Sequence, residues 1–152
     1  MVCSIDHTYH CLYTTDENGQ SQLIDFGYMS ELSRENAKKD KHNSLALYQK
    51  WMGTRVADIN YIIEAITSQT RPSPSSGLYG LVDIENIGVI GHSLGGSAAV
   101  GIGRLGSDVG AVIALESPFL CDILDVENDS FVFENSEYPT PILNVYSIGI
   151  FH

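Results

Sequence analysis

Among the residues able to do covalent chemistry, Ser93 has the most informative neighbours. It stands in VIGHSLGGSAAVGIG, residues 89–103, where Gly91-His92-Ser93-Leu94-Gly95 gives a G-x-S-x-G spacing. That spacing can hold a serine on a sharp, strained strand-to-helix turn, with small residues two positions to either side allowing close packing. Glycine and serine are abundant in this chain, so the spacing alone is weak and its context must decide. The apolar run Ile87–Ile90 precedes it and reads as a buried strand. The alanine- and glycine-rich stretch Leu94–Leu105 follows it and reads as a helix lying close against a sheet. At the positive end of that helix, the backbone N–H of Leu94 is placed to donate to a developing oxyanion. A glycine-rich turn that merely packs well and a phosphate loop are the rival readings, and the second wants a lysine that the segment lacks. His92 is expected to point away from the reacting face of Ser93, as a packed, hydrogen-bonded histidine rather than a base.

Cys3, His7, His10 and Cys11 form a compact second set, with residue types that suit zinc. Cys3 falls inside an expected strand, Val2–Ile5, while the other three lie beyond its end. No metal and no cofactor is therefore expected.

These residues need elements to position them. After Val2–Ile5, the stretch TTDENGQSQ reads as a turn-rich connection and SELSRENAKKD as a charged, helical segment. From Asn43 to Thr67, apolar residues (Leu47, Trp51, Met52, Val56, Ile59, Ile63, Ile66) recur mostly every three or four positions, which predicts a long amphipathic helix. RPSPSSG, residues 71–77, stops it, because proline cannot continue a helix. GAVIALE gives a further buried strand, DVENDS a polar loop, and TPILNVYS a last strand. Buried strands alternating with helices predict an α/β chain, with a mostly parallel sheet and flanking helices, in a single domain over 1–152.

IGVIGHSLGGSAAV resembles the serine elbow of the α/β-hydrolase superfamily. The surrounding chain is similar to its platelet-activating-factor acetylhydrolase and dienelactone-hydrolase-like branch. VCSIDHTYH resembles that branch's strand ending in an acid and a histidine; WMGTRVADINYIIEAI resembles the helix before the nucleophile, with Arg55 and Asp58 in place; AVIALESPF resembles the strand that presents the triad acid. The resemblance implies a partial α/β-hydrolase fold and a hydrolase of carboxylic esters, with short acyl groups on lipid-like alcohols as one substrate class. Ser93 would be the nucleophile, Leu94 an oxyanion donor through its backbone, and Glu116 the triad acid where the acetylhydrolases have aspartate. Asp122 and Asp125 are alternatives for that acid. The family's histidine follows a later strand and helix, and the sole histidine after Glu116 is His152, which sits too early to serve. Nor does an H-G-x-x-G-like oxyanion loop precede Val2. The expectation is a central portion of a longer hydrolase, lacking N-terminal strands and the histidine segment. Its exposed sheet edges favour a homo-oligomer. A non-catalytic remnant is the alternative reading.

Composition narrows the partners. The chain has 152 residues, 43% hydrophobic and 18% charged, enough to bury one core. A net charge of -11 repels phosphate backbones, so nucleic acid is excluded as an expected partner. No apolar run approaches the roughly 18–20 residues that span a bilayer, and MVCSIDHTYHC has no basic flank leading into an apolar stretch. The cytoplasm is the expected location for a complete chain of this kind. Three widely spaced cysteines read as thiols rather than a disulfide framework.

Overall fold

In the computed structural model every residue is described except 17, 71–76, 106–107 and 148–152, and the side chain of residue 78. The chain is α/β, with helices packed on a parallel sheet and two separate antiparallel pairs.

The N-terminal run corrects the sequence expectation. Residues 1–7 form no strand, and Val2 is 94% exposed. A strand exists through a paired neighbour, and this run forms no ladder with any described strand. The stretch read as a turn-rich connection folds as a hairpin, β1 (Tyr13–Thr15) with β2 (Ser21–Leu23). The Asp16 carboxylate accepts the N–H groups of Asn18 and Gln20 across its turn, a local bond that offers the backbone a ready alternative to helix.

Helix α1 (Phe26–Arg34) begins where the Asp25 side chain accepts the Tyr28 N–H at 2.7 Å. Helix α2 (Lys41–Thr70) is 30 residues long, about 45 Å. The Asp40 carboxylate accepts the Asn43 N–H at its start, and the helix stops just before the proline-rich stretch, whose residues 71–76 lie outside the described part. The predicted stripe is the buried face of α2: Trp51, Met52, Ile59 and Ile63 are buried, joined by Leu45 and Tyr48. Two glutamates of α1 and its C-cap dock on α2. Glu31 accepts from the Trp51 indole at 2.9 Å, and Glu35 accepts from Ser44 and Tyr48, each at 2.7 Å. Burial, with the Glu35 hydrogen bond second, pushes the Tyr48 phenol up to about 12.

The sheet is built from β3 (Gly88–His92), β4 (Ala111–Leu115) and β7 (Ile142–Val145), in the order β3-β4-β7 and parallel throughout. Between its first two strands runs α3 (Leu94–Leu105), on the residues predicted for it. Ala98, Ala99 and Val100 of α3 are fully buried, because small side chains let the helix sit close to the sheet and to α2. In register, Val89, Val112 and Ile142 share one sheet face and belong to the core. Ile90, Ile113 and Leu143 share the other. Ile87–Ile90 was expected to be buried, yet Ile90 is 62% and Leu143 56% exposed. The described helices cover one face only.

The DVENDS region is likewise more than a loop. It forms an antiparallel pair, β5 (Ile123–Glu127) with β6 (Ser130–Phe133). Asn128 and Asp129 turn the chain with φ of 48° and 57°, the left-handed conformation of a two-residue hairpin turn that Asn and Asp tolerate. Arg104 at the end of α3 fixes this pair to the body. Its Nε and Nη2 meet the two Asp122 carboxylate oxygens at 3.0 Å, and its Nη1 donates to the Ser136 and Glu137 carbonyls. The guanidinium also lies 4.8 Å from the Tyr138 ring centre.

Candidate active site

Ser93 lies between the end of β3 and the first residue of α3, with φ at +53°. A serine in this left-handed region costs on the order of 1–3 kcal/mol and persists only where its surroundings fix it. Two backbone bonds do so. The Ser93 N–H donates to the Leu115 carbonyl at 2.9 Å, and the Ser93 carbonyl accepts from the Ser97 N–H at 3.0 Å. The side chain is left exposed. Since Ser97 to Ser93 is the first bond of α3, the Leu94 N–H precedes the helical ladder and has no acceptor among the described residues.

The glycines around the serine differ in what they require. A Cβ on Gly91 would sit 2.1 Å from the Gly95 carbonyl oxygen, so the strand and the helix touch backbone to backbone there. A Cβ on Gly95 would meet nothing within 4 Å, whereas one on Gly96 would lie 2.8 Å from the Ser117 Cβ. The sequence expectation assigned tight packing to positions 91 and 95, but position 96 rather than 95 carries the second constraint. Gly91→Ala should therefore destabilise the chain by about 3 kcal/mol or more through overpacking, while Gly95→Ala should be neutral or stabilising by about 0.5–1 kcal/mol. Urea unfolding of the two variants checks both signs.

Glu116 follows β4 as Ser93 follows β3, and the two strands are neighbours in parallel register. The peptide carbonyl that holds the Ser93 N–H belongs to Leu115, the residue before Glu116. Both side chains thus emerge at the carboxyl end of adjacent strands, where parallel sheets place their sites. Glu116 also has a left-handed backbone, φ +50°, and its N–H donates to Val145 at 2.8 Å. Its Oε1 accepts the Ser147 N–H, while its Oε2 is buried with no hydrogen-bond partner among the described residues. Next to it the Tyr146 hydroxyl donates to the Ser117 carbonyl at 2.7 Å, and burial followed by the Glu116 charge raises the Tyr146 phenol. Ser147 and Tyr146 were missed in the sequence because no spacing marks a backbone donor that comes from the end of a third strand.

The alternative acids are committed elsewhere. Asp122 is spent on Arg104, and the exposed Asp125 accepts the Val126 N–H through Oδ1. His92 is exposed and has no hydrogen-bond partner among the described residues, contrary to the packed, bonded histidine expected of it. No described histidine is hydrogen-bonded to Ser93 or Glu116, and His152 lies outside the described residues.

The other set of reactive residues is dispersed. His7 Nδ1 meets Asp58 at 2.9 Å and ties the N-terminal run to α2. His10 stacks on Tyr28 at 3.9 Å, its pKa held below the ordinary histidine range by burial first and then by the Arg55 and His7 charges. The Cys11 thiol donates to the His7 carbonyl. Among the described residues no three His, Cys, Asp or Glu side chains converge on a point that could hold a metal. Cys121 is no rival nucleophile, since burial and then the Asp122 charge push its thiol up to about 12. No described helix is long and apolar enough to cross a membrane. Comparison of the chain with protein-family models, with curated proteins and with solved structures returns no match.

Proposed function

We propose that the chain carries the nucleophile and acid of a serine hydrolase of the α/β-hydrolase type, acting on carboxylic esters, including short-acyl esters of lipid-like alcohols. The observation that carries this reading is the left-handed Ser93 at a strand-to-helix turn, exposed beside a Leu94 N–H that has no acceptor among the described residues. A packing turn has no need of a strained serine where glycine would relieve the strain. In the reaction, Ser93 Oγ attacks the ester carbonyl carbon while an imidazole accepts its proton. The carbonyl oxygen becomes an oxyanion facing the Leu94 N–H. The imidazolium then returns the proton to the departing alcohol oxygen, and water releases the acid from the acyl-serine by the same steps. Glu116 orients the imidazole, because Oε1 is held by Ser147 and Oε2, without a partner among the described residues, can accept an imidazole N–H.

One observation favours a second reading, a non-catalytic hydrolase-like module: no described histidine bonds to Ser93 or Glu116. A fluorophosphonate probe, which phosphonylates activated serines, separates the two when used with and without added imidazole. The hydrolase reading expects imidazole-stimulated labelling that Ser93→Ala abolishes. Labelling that is absent in both conditions, or that persists in Ser93→Ala, establishes the second reading.

A further inference from the structure

Val145, the last residue of β7, and the two residues after it hold the two residues that follow β4. The Glu116 N–H donates to the Val145 carbonyl at 2.8 Å, and the Ser147 N–H donates to Glu116 Oε1. Between these, the Tyr146 hydroxyl donates to the Ser117 carbonyl at 2.7 Å. In the first two bonds positions 145 and 147 contribute backbone groups, so residue type matters little there. The third comes from a side chain, and only a residue with a long hydroxyl arm at position 146 supplies it.

Ser117 joins this clasp to the nucleophile. It is 1% exposed, and its Oγ lies 3.3 Å from Ser97 Oγ, which in turn donates to the Ser93 carbonyl at 3.4 Å. The ends of β3, β4 and β7 are thus tied together through Ser93, Ser117 and Tyr146. The tie bears on a strained segment, because Glu116 and Phe119 on either side of Ser117-Pro118 both have φ of +50°. Such a backbone persists only where its surroundings fix it, and relaxation at Glu116 would carry its carboxylate away. We propose that Tyr146 is a positioning residue for Glu116: by clasping the Ser117 carbonyl, its hydroxyl keeps the acid's backbone strained and Oε2 placed for an imidazole. This inference rests on the hydrolase reading.

Magnitudes separate this role from simple packing. Tyr146 is 36% exposed and stands outside the hydrophobic core, so its hydroxyl adds little to the fold as a whole. A catalytic group displaced by about 1 Å, by contrast, can lose up to about 10²-fold in rate. The hydroxyl is therefore expected to matter far more to the chemistry than to stability. It also stays a donor at neutral pH, since burial and then the Glu116 charge raise the phenol.

The test is a double-mutant cycle on the full chain, read as the imidazole-dependent rate at which a fluorophosphonate labels Ser93. Tyr146→Phe removes one hydroxyl from a partly exposed ring, so it should keep the parent's circular dichroism and lower that rate by about tenfold or more. In the Glu116→Gln background the same change should lower the rate by less than about twofold, because a residue that acts through the acid has nothing left to act on. A hydroxyl with a merely structural role would lower the urea midpoint alone, or lower the rate equally in both backgrounds, and either result overturns the proposal. If Tyr146→Phe fails to fold, Glu116→Asp decides. On a backbone held in place, the shorter acid cannot reach as far and should lose about tenfold or more, whereas a rate like the parent's shows a backbone that adjusts and overturns the proposal. A parent that imidazole does not activate removes the hydrolase reading and this proposal with it. A parent that is activated, but labelled no faster than Tyr146→Phe, removes this proposal alone.

Discussion

Glu116→Gln is expected to lower the imidazole-dependent acylation of Ser93 by about 10²- to 10⁴-fold while leaving the fold intact. Glutamine matches the shape of glutamate, and its amide oxygen can keep the Ser147 N–H that now binds Oε1. What it loses is the charge at the buried Oε2. An imidazole accepting the Ser93 proton becomes cationic, and a fixed carboxylate beside it stabilises that cation throughout the transfer. A glutamine NH2 at the same place would instead present a donor to the imidazole N–H. Hydrolysis of p-nitrophenyl acetate with increasing imidazole, corrected by the rate of the Ser93→Ala variant, gives the comparison. Equal imidazole dependence in Glu116→Gln and parent would remove Glu116 from the site.

Arg104→Ala should cost about 3–5 kcal/mol of stability, seen as a fall in Tm of about 10 °C. The Asp122 side chain is only 10% exposed and both its carboxylate oxygens are taken by Arg104. Removing the arginine leaves that carboxylate buried without a counter-charge. It also frees the carbonyls of Ser136 and Glu137 and the Tyr138 ring, which hold the β5–β6 pair and the chain after it against α3. The Arg104 guanidinium is held still more firmly protonated than usual, first by its hydrogen bond to Asp122. Replacing both partners, Arg104→Met with Asp122→Leu, should recover most of the loss, because apolar side chains leave no unpaired charge. A loss under about 1 kcal/mol for the single variant would show that the pair is not the fastening described.

Much of the frame was legible because it rests on local patterns. The stripe of α2, the elbow strand and α3 follow from the spacing of apolar and small residues. Val2–Ile5 misled because its residues suit a strand while no described neighbour pairs with it. DVENDS misled in the other direction: its polar residues mark a turn, and the Asn128-Asp129 tolerance of positive φ makes that turn a hairpin. Position 96 was overlooked because Ser117, which crowds it, is distant in sequence.

The sequence by itself determined where a serine could be strained and exposed, since a strand, a G-x-S-x-G turn and a small-residue helix are all encoded within residues 87–105. Only the tertiary structure decided what stands around that serine. It placed Glu116 at the end of the neighbouring strand, held one of its oxygens with Ser147 and left the other without a partner among the described residues. It assigned Asp122 to Arg104. Those outcomes depend on strand register and on contacts between residues tens of positions apart, which no local spacing specifies.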